Sequence, residues 1–264
     1  MARPVPVHRF QSFAELDRVV HAVSTRTGGV SQGPFASLNV GFHVGDEPEA
    51  VLENRRRLCQ AAELELDRLV AGQQVLGSAV GWVTEADCGR GARDRESALP
   101  DVDALMTDSR GVVLAAFSAD CPLVAIAEPR RGAVGLAHAS RKGTFGDIAG
   151  RTVRAMRKLL GCDPGAMRAA IAPSIGPCCY EVGEDVLGEA AASASEAPRF
   201  LLRDPGRLRF DLWGANVAQL VAAGVPRQEI EVAGICTRCH AERFFSHRAS
   251  GGRTGRFAVL LGLR

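Results

Sequence analysis

Val112-Val113-Leu114-Ala115-Ala116-Phe117-Ser118, then Ala119-Asp120-Cys121, then Pro122-Leu123-Val124-Ala125-Ile126-Ala127-Glu128 run into Pro129-Arg130-Arg131-Gly132 and Ala133-Val134-Gly135-Leu136-Ala137-His138-Ala139. Short apolar runs on either side of a Pro/Gly turn read as antiparallel β-strands. With the turn centred on Arg130-Arg131, paired positions sum to 261, so His138 faces Leu123. Cys121 lies two positions further along, on the same side of the strand. A diagonal pair of this kind is roughly 7–8 Å apart at Cα. That separation suits a thiolate and an imidazole that share a metal ion or act as a dyad, whereas a one-residue slip would part them.

Working outward, the 264 residues are 46% hydrophobic and 23% charged, with a net charge of +2 and a single tyrosine. Mixed charges and no basic stripe exclude a nucleic-acid-binding surface. No run approaches the roughly 18 apolar residues of a membrane span. Met1 to Val7 lacks the apolar core of an export signal. Eight cysteines without such a signal read as reduced thiols or ligands, not a disulfide framework, so a cytoplasmic protein is expected.

Ser12-Phe13-Ala14-Glu15 has capping-box spacing and predicts a short helix. Strands are expected at 22–25, 169–172, 230–235 and 257–261. Asp46 is expected to cap a helix over 47–62, with Pro48 in its first turn. Thr144 is expected to cap a helix carrying Ile148, Val153, Met156, Leu159 and Leu160, stopped by Gly161, and Asp211 to cap one ending at Gly224. Residues 89–100 read as an irregular surface loop. Without an internal repeat or a linker, one mixed α/β domain over 1–264 is the economical reading.

Cys121 and His138 both sit where a strand gives way to irregular chain, a frequent setting for function. For an arbitrary cysteine and histidine, core packing is the commoner explanation. After His138, Ser140-Arg141-Lys142-Gly143-Thr144 enters a helix, and free N–H groups with two cations make an anion site. A solvated turn fits the same residues equally well.

Ser118-Ala119-Asp120-Cys121-Pro122, Ala137-His138-Ala139 and Ser174-Ile175-Gly176-Pro177-Cys178-Cys179-Tyr180-Glu181-Val182-Gly183 resemble the laccase-domain family, also called polyphenol oxidase or purine nucleoside phosphorylase family proteins. So do Ser24 to Ser31, Ser37-Leu38-Asn39-Val40-Gly41, Asp103 to Thr107 and Phe244-Phe245-Ser246-His247-Arg248. The match runs in order from about residue 20 to the end. The resemblance implies an α+β fold of layered mixed β-sheets flanked by helices, and a metal site of His, Cys and His. It also implies phosphorolysis of adenosine, inosine or methylthioadenosine, with purine nucleoside and phosphate as partners. Adenosine deamination and copper-dependent phenol oxidation are further activities attached to the family. Its fold also resembles that of a deamidase toxin with a Cys–His dyad.

Cys121 and His138 take the second and third ligand positions, and both are the candidate catalytic residues. The first falls in Gln74-Val75-Leu76-Gly77, where the family has histidine and this chain has leucine. Leu76 cannot bind zinc, so zinc is expected to be weakly held or absent, with copper as the other candidate. His43 is a substitute ligand or a substrate contact, although the family carries a histidine there as well. Where the family has Gly-Trp-Arg-Gly, this chain has Ser140-Arg141-Lys142-Gly143, and a lysine lacks the bidentate fork of arginine. Arg141 and Lys142 remain the phosphate candidates, and Arg26 and Asn39, in glycine-rich loops, are substrate-binding candidates. Loop-ordering bonds explain Asn39 equally well.

Cys236-Thr237-Arg238-Cys239-His240 matches a haem-attachment pattern, but haem is set aside for want of an export signal. Zinc on Cys236, Cys239 and His240 lacks a fourth ligand, so packing is the expected role there. Cys178 and Cys179 either line the pocket or support it. Three functions remain open: a phosphorylase with a weakened metal site, a metal-free Cys–His hydrolase or deamidase, and a non-catalytic paralogue that binds through the old cleft.

Overall fold

Strands that are apolar at every position belong in sheets covered on both faces, and the protein is built in that way. The computed structural model describes residues 5–193 and 195–264. One sheet has the order Val7–His8, Val19–Ser24, Phe257–Leu263, Val113–Ser118, Leu69–Ala71. A second has the order Ile230–Val232, Arg168–Ile171, Leu123–Glu128, Ala133–His138, Ala104–Thr107, Val80–Trp82. Leu201–Asp204 and Arg207–Phe210 make a separate hairpin.

The two large sheets pack face to face. Val23, Leu114, Ala116, Val259 and Leu261 from one meet Leu123, Ala125, Leu136 and Ala170 from the other. Helix Pro48–Ala61 covers the outer face of the first sheet, where Leu58 packs among Ala22, Val113, Ala115 and Leu260. Helices Ile148–Leu160 and Leu212–Ala222 cover the second, with Val153, Met156 and Leu220 against Met106, Val124 and Ile126. The result is the layered α+β architecture expected. Among the described residues no helix is long and apolar enough to cross a membrane.

The central hairpin has the expected register, from Leu123 opposite His138 to Glu128 opposite Ala133. Glu128, although buried, is satisfied at the turn, where its carboxylate accepts the N–H groups of Arg130 and Arg131. Val113–Ser118 belongs to the other sheet, paired with Phe257 to Gly262 and with Leu69–Ala71. The chain therefore changes sheets across Ala119 to Pro122, and Cys121 sits on that crossover. Asp120 makes the bend at φ 96°, a conformation costly for a residue with a Cβ. Its carboxylate is held by the Thr237 hydroxyl (2.6 Å) and the Arg248 N–H (2.7 Å).

Three local expectations are corrected. Residues 11–13 form a single 3₁₀ turn, and the Ser12 N–H is drawn instead to Glu231 (2.7 Å). Asp46 does not cap the helix that begins at Pro48; its carboxylate serves Ser31 and Asn39. The helix expected after Thr144 is two pieces. Ser140 caps Arg141–Phe145 by accepting the Gly143 N–H, and Asp147, at φ 62°, breaks the chain before Ile148. Asp211 caps its helix as expected, accepting the Gly214 N–H at 3.0 Å. Gly161 ends its own helix at φ 66°.

His21, buried in the Val19–Ser24 strand, stacks on Phe10 (5.4 Å between rings), and its Nε2 accepts the Phe10 N–H at 2.9 Å. An acceptor nitrogen must be unprotonated. Burial, reinforced by the Arg9 charge, pushes the His21 pKa down to about 4. Such a group leaves stability whole above its unfolded pKa, near 6.5, and erodes it as pH falls from there towards 4. The full effect is roughly 3 kcal/mol. Urea unfolding at pH 7.5 and 5.0 is expected to show a smaller loss for His21→Gln, which keeps an acceptor, than for the native chain. Equal losses would contradict this.

Candidate functional site

Asp103 stands immediately before the Ala104–Thr107 strand, with its side chain fully buried. A carboxylate taken out of water must be satisfied, and four partners do so. It accepts the backbone N–H groups of Val75 (3.0 Å), Leu76 (3.1 Å) and Gly77 (2.8 Å), and its Oδ1 lies 2.9 Å from His138 Nδ1. The other imidazole nitrogen is thereby left for the cavity, which Cys121 also lines.

Electrostatics follow from that pairing. Burial opposes a charge on His138, but the hydrogen bond with Asp103 and the neighbouring Cys121 outweigh it and raise the pKa to about 9. Burial likewise works against ionised Asp103, yet His138 and the loop N–H groups hold it below the usual carboxylate range. His43 goes the other way: burial first, then the charge of Arg256, pushes it down to about 4. One cavity therefore offers an imidazolium and a neutral imidazole at neutral pH, a separation that suits acid–base work.

That cavity, about 460 Å³, lies on the crossover between the sheets. Its lining includes Cys121, His138, His43 and Leu76, and also Tyr180, His247, Arg248 and Arg256. Gln74 anchors the loop before Leu76 by a reciprocal pair with the Phe117 backbone, at 2.8 and 2.9 Å. Both Gln74 (φ 51°) and Leu76 (φ 63°) are left-handed, a strained choice for leucine. Leu76 is 48% exposed, so packing does not compensate for it. The loop delivers a side chain to the cavity mouth, and leucine is a poor occupant of that place.

Cys121, His138 and His43 are brought together. The other expected contacts lie outside the lining. Arg141 is paired with Glu189 at 3.0 Å, and neither it nor Lys142 borders the cavity. Arg26 lies over the Phe245 ring and donates to the carbonyls of Ala36 and Ala241. Asn39 is buried and accepts the N–H groups of Gly41 and Arg256, which fixes the loop behind His43 and Arg256. The sequence reading had Asp103 only as the first residue of a family motif, with no role assigned to it. It also passed over Arg248 and His247, whose motif was visible, and over Arg256, which carried no local mark.

A catalytic zinc takes three protein ligands and an open position. Around Cys121 and His138 the residues do not fit that need. Among the described residues, the one place where three or more histidine, cysteine or carboxylate ligand atoms gather is elsewhere, at Cys178, Cys179, Cys236 and Cys239. Those four cysteines form a cluster able to hold a metal ion, so packing alone, the role expected for Cys236 and Cys239, is an incomplete description. His240, the third ligand weighed for that motif, turns to Glu242 at 3.5 Å.

Residues 20–264 match the family described as multi-copper polyphenol oxidoreductase laccase. The chain is 43% identical over 247 residues to a Geobacillus stearothermophilus protein named purine nucleoside phosphorylase YlmD, covering 93% of this chain and 90% of the relative. It is 34% identical over 247 residues to a protein from an unknown prokaryotic organism named adenosine deaminase RL5, covering 92% and 94%. The crystal structure of YlmD from Geobacillus stearothermophilus superposes with a TM-score of 0.91 at 42% identity, over 100% of this chain and 97% of the other. That of Bacillus licheniformis YfiH gives 0.93 at 34% identity, over 99% and 97%.

Replacing Asp103 with asparagine removes the charge that keeps His138 protonated and leaves an amide facing loop N–H groups. Asp103→Asn is expected to lose roughly 3–5 kcal/mol of stability in urea unfolding. By NMR at pH 7.5, the His138 ring is expected to change from imidazolium to neutral imidazole. An unchanged ring signal in a folded variant would show that Asp103 does not set its charge.

Proposed function

The chain belongs to the multi-copper polyphenol oxidoreductase laccase family, and on that premise we propose that it is a purine nucleoside phosphorylase-like enzyme acting in the Cys121–His138 cavity. The observation that carries this reading is a buried Asp103–His138 pair that shares a cavity with half-buried Cys121 and with Arg248 and Arg256. It is supported by relatives named purine nucleoside phosphorylase over nine-tenths of the chain. The substrates are a purine nucleoside, such as adenosine, inosine or methylthioadenosine, and inorganic phosphate.

Phosphate rests against Arg248 and Arg256, and the sugar lies towards His43 and Cys121. A phosphate oxygen forms a bond to the ribose C1′ while the C1′–N9 bond breaks and its electron pair passes to the purine. Protonated His138, held in place by Asp103, gives the departing base its proton and recovers one from the new phosphate ester. The products are ribose 1-phosphate and free base. Arg26 and Asn39 act by ordering the loops around the cavity, and Arg141 by tying the helix beyond His138 to Glu189. Zinc or copper would find only two protein ligands here, Cys121 and His138.

One observation favours a second reading. A carboxylate-paired imidazole and a thiol in one cavity are also the parts of a metal-free cysteine hydrolase or deamidase. The relative named adenosine deaminase adds deamination to the reactions worth assaying. With none of the eight cysteines in a disulfide, we place the protein in the reducing cytoplasm.

Chromatography of adenosine or inosine incubated with the protein tests the phosphorylase reading. Free base is expected only with phosphate present. Cys121→Ser and His138→Gln are expected to lower the rate by roughly a hundredfold or more. Leu76→His supplies a third ligand, and with zinc added it is expected to raise metal affinity about tenfold or more. No base release by the native chain or by Leu76→His at any zinc concentration would overturn phosphorolysis. Phosphate-independent ammonia release with rapid alkylation of Cys121 would establish the second reading instead.

A further inference from the structure

Two segments distant in sequence meet beside the cavity. Ser174 to Tyr180 carries Cys178 and Cys179; Ile235 to His240 carries Cys236 and Cys239. The backbone joins them: the Ser174 N–H donates to Ile235 O at 3.1 Å, and the Thr237 N–H to Ser174 O at 3.1 Å. The Gly176-Pro177 turn brings the Cys179 N–H back to Gly176 O at 2.9 Å. All four sulfurs then lie within 4.8 Å of one another. From this gathering we infer a structural zinc site with four thiolate ligands, Cys178, Cys179, Cys236 and Cys239, separate from the catalytic cavity.

The distances distinguish a metal site from a disulfide. Four sulfurs at about 2.3 Å from a tetrahedral zinc lie about 3.8 Å from each other. Cys178 and Cys179 Sγ are 3.9 and 3.4 Å from Cys239 Sγ, which brackets that edge. A disulfide needs sulfurs roughly 2.0 Å apart. Four-sulfur tetrahedral sites belong to zinc or iron, and the closed ligand set leaves no open position for catalysis.

The surroundings are those of a bound thiolate cluster. The Gly176 N–H points at Cys236 Sγ from 3.3 Å, and the Arg238 guanidinium places a positive charge beside Cys179. Such donors offset the negative charge that four thiolates retain around a dication. Loading displaces the four thiol protons as four sulfur–zinc bonds form. A cluster of this kind fastens the segment that supplies Ile175 and Tyr180 to the one that leads on to His247 and Arg248, all of which border the cavity.

Metal analysis of the full chain, expressed with zinc and purified without chelator, tests the site. One zinc per chain is expected. Cys178→Ser and Cys239→Ser are each expected to lose at least about nine-tenths of it, and Cys121→Ser to keep it. Stripping the native chain with a strong chelator is expected to lower Tm by about 5 °C or more. Because serine variants can fail to fold, the native chain reconstituted with cobalt(II) gives an independent readout: thiolate-to-cobalt charge-transfer absorption of tetrathiolate intensity. No zinc in the native protein, iron in its place, zinc lost from Cys121→Ser but kept in Cys239→Ser, or a disulfide among these cysteines by mass spectrometry would each overturn the assignment.

Discussion

The buried carboxylate of Asp103 is the interaction on which the site depends. It faces four donors at once: three successive backbone N–H groups of the 75–77 loop and the ring of His138. Leaving a buried ion without such partners is prohibitive, so the loop, the strand that follows Asp103 and the hairpin end at His138 are obliged to converge. Convergence sets the ring orientation of His138, which leaves its other nitrogen for the cavity that Cys121 also lines. The proton on His138 at neutral pH is therefore a consequence of the fold.

The same constraint explains why position 76 matters. Its backbone is held by Asp103 on one side and by Gln74 through Phe117 on the other, in a conformation that side chains adopt at a cost. Leucine gains no burial there to offset the strain. The loop thus presents the side chain at position 76 to the cavity from a backbone anchored on both sides. Cys121 and His138 alone are short of the three protein ligands that a catalytic zinc takes, whereas the Asp103 bond to His138 is of the kind that holds an imidazole protonated.

What could be read from the sequence was what depended on local pattern. The turn at 129–132 fixed the pairing of Leu123 with His138, and the apolar runs fixed strands covered on both faces. Gly161 and Asp211 mark helix ends because their reasons are confined to a few residues. The failures share one cause. Thr144, Asp46 and Ser12 looked like caps by spacing, but distant or neighbouring partners claimed them or the helix began elsewhere. Arg141 looked like a phosphate ligand until Glu189, 48 residues on, was found beside it. The four cysteines could not be joined from sequence because their two segments lie some sixty residues apart.

The most direct measurement is the pH dependence of kcat/KM for phosphorolysis of inosine between pH 6 and 10.5. A buried imidazolium that donates to the leaving purine requires activity to hold through neutrality and to fall as pH rises through about 9. In contrast, a rate that climbs through that range, stays level to its end, or is absent at every pH would contradict a reacting centre built on Asp103, His138 and Cys121.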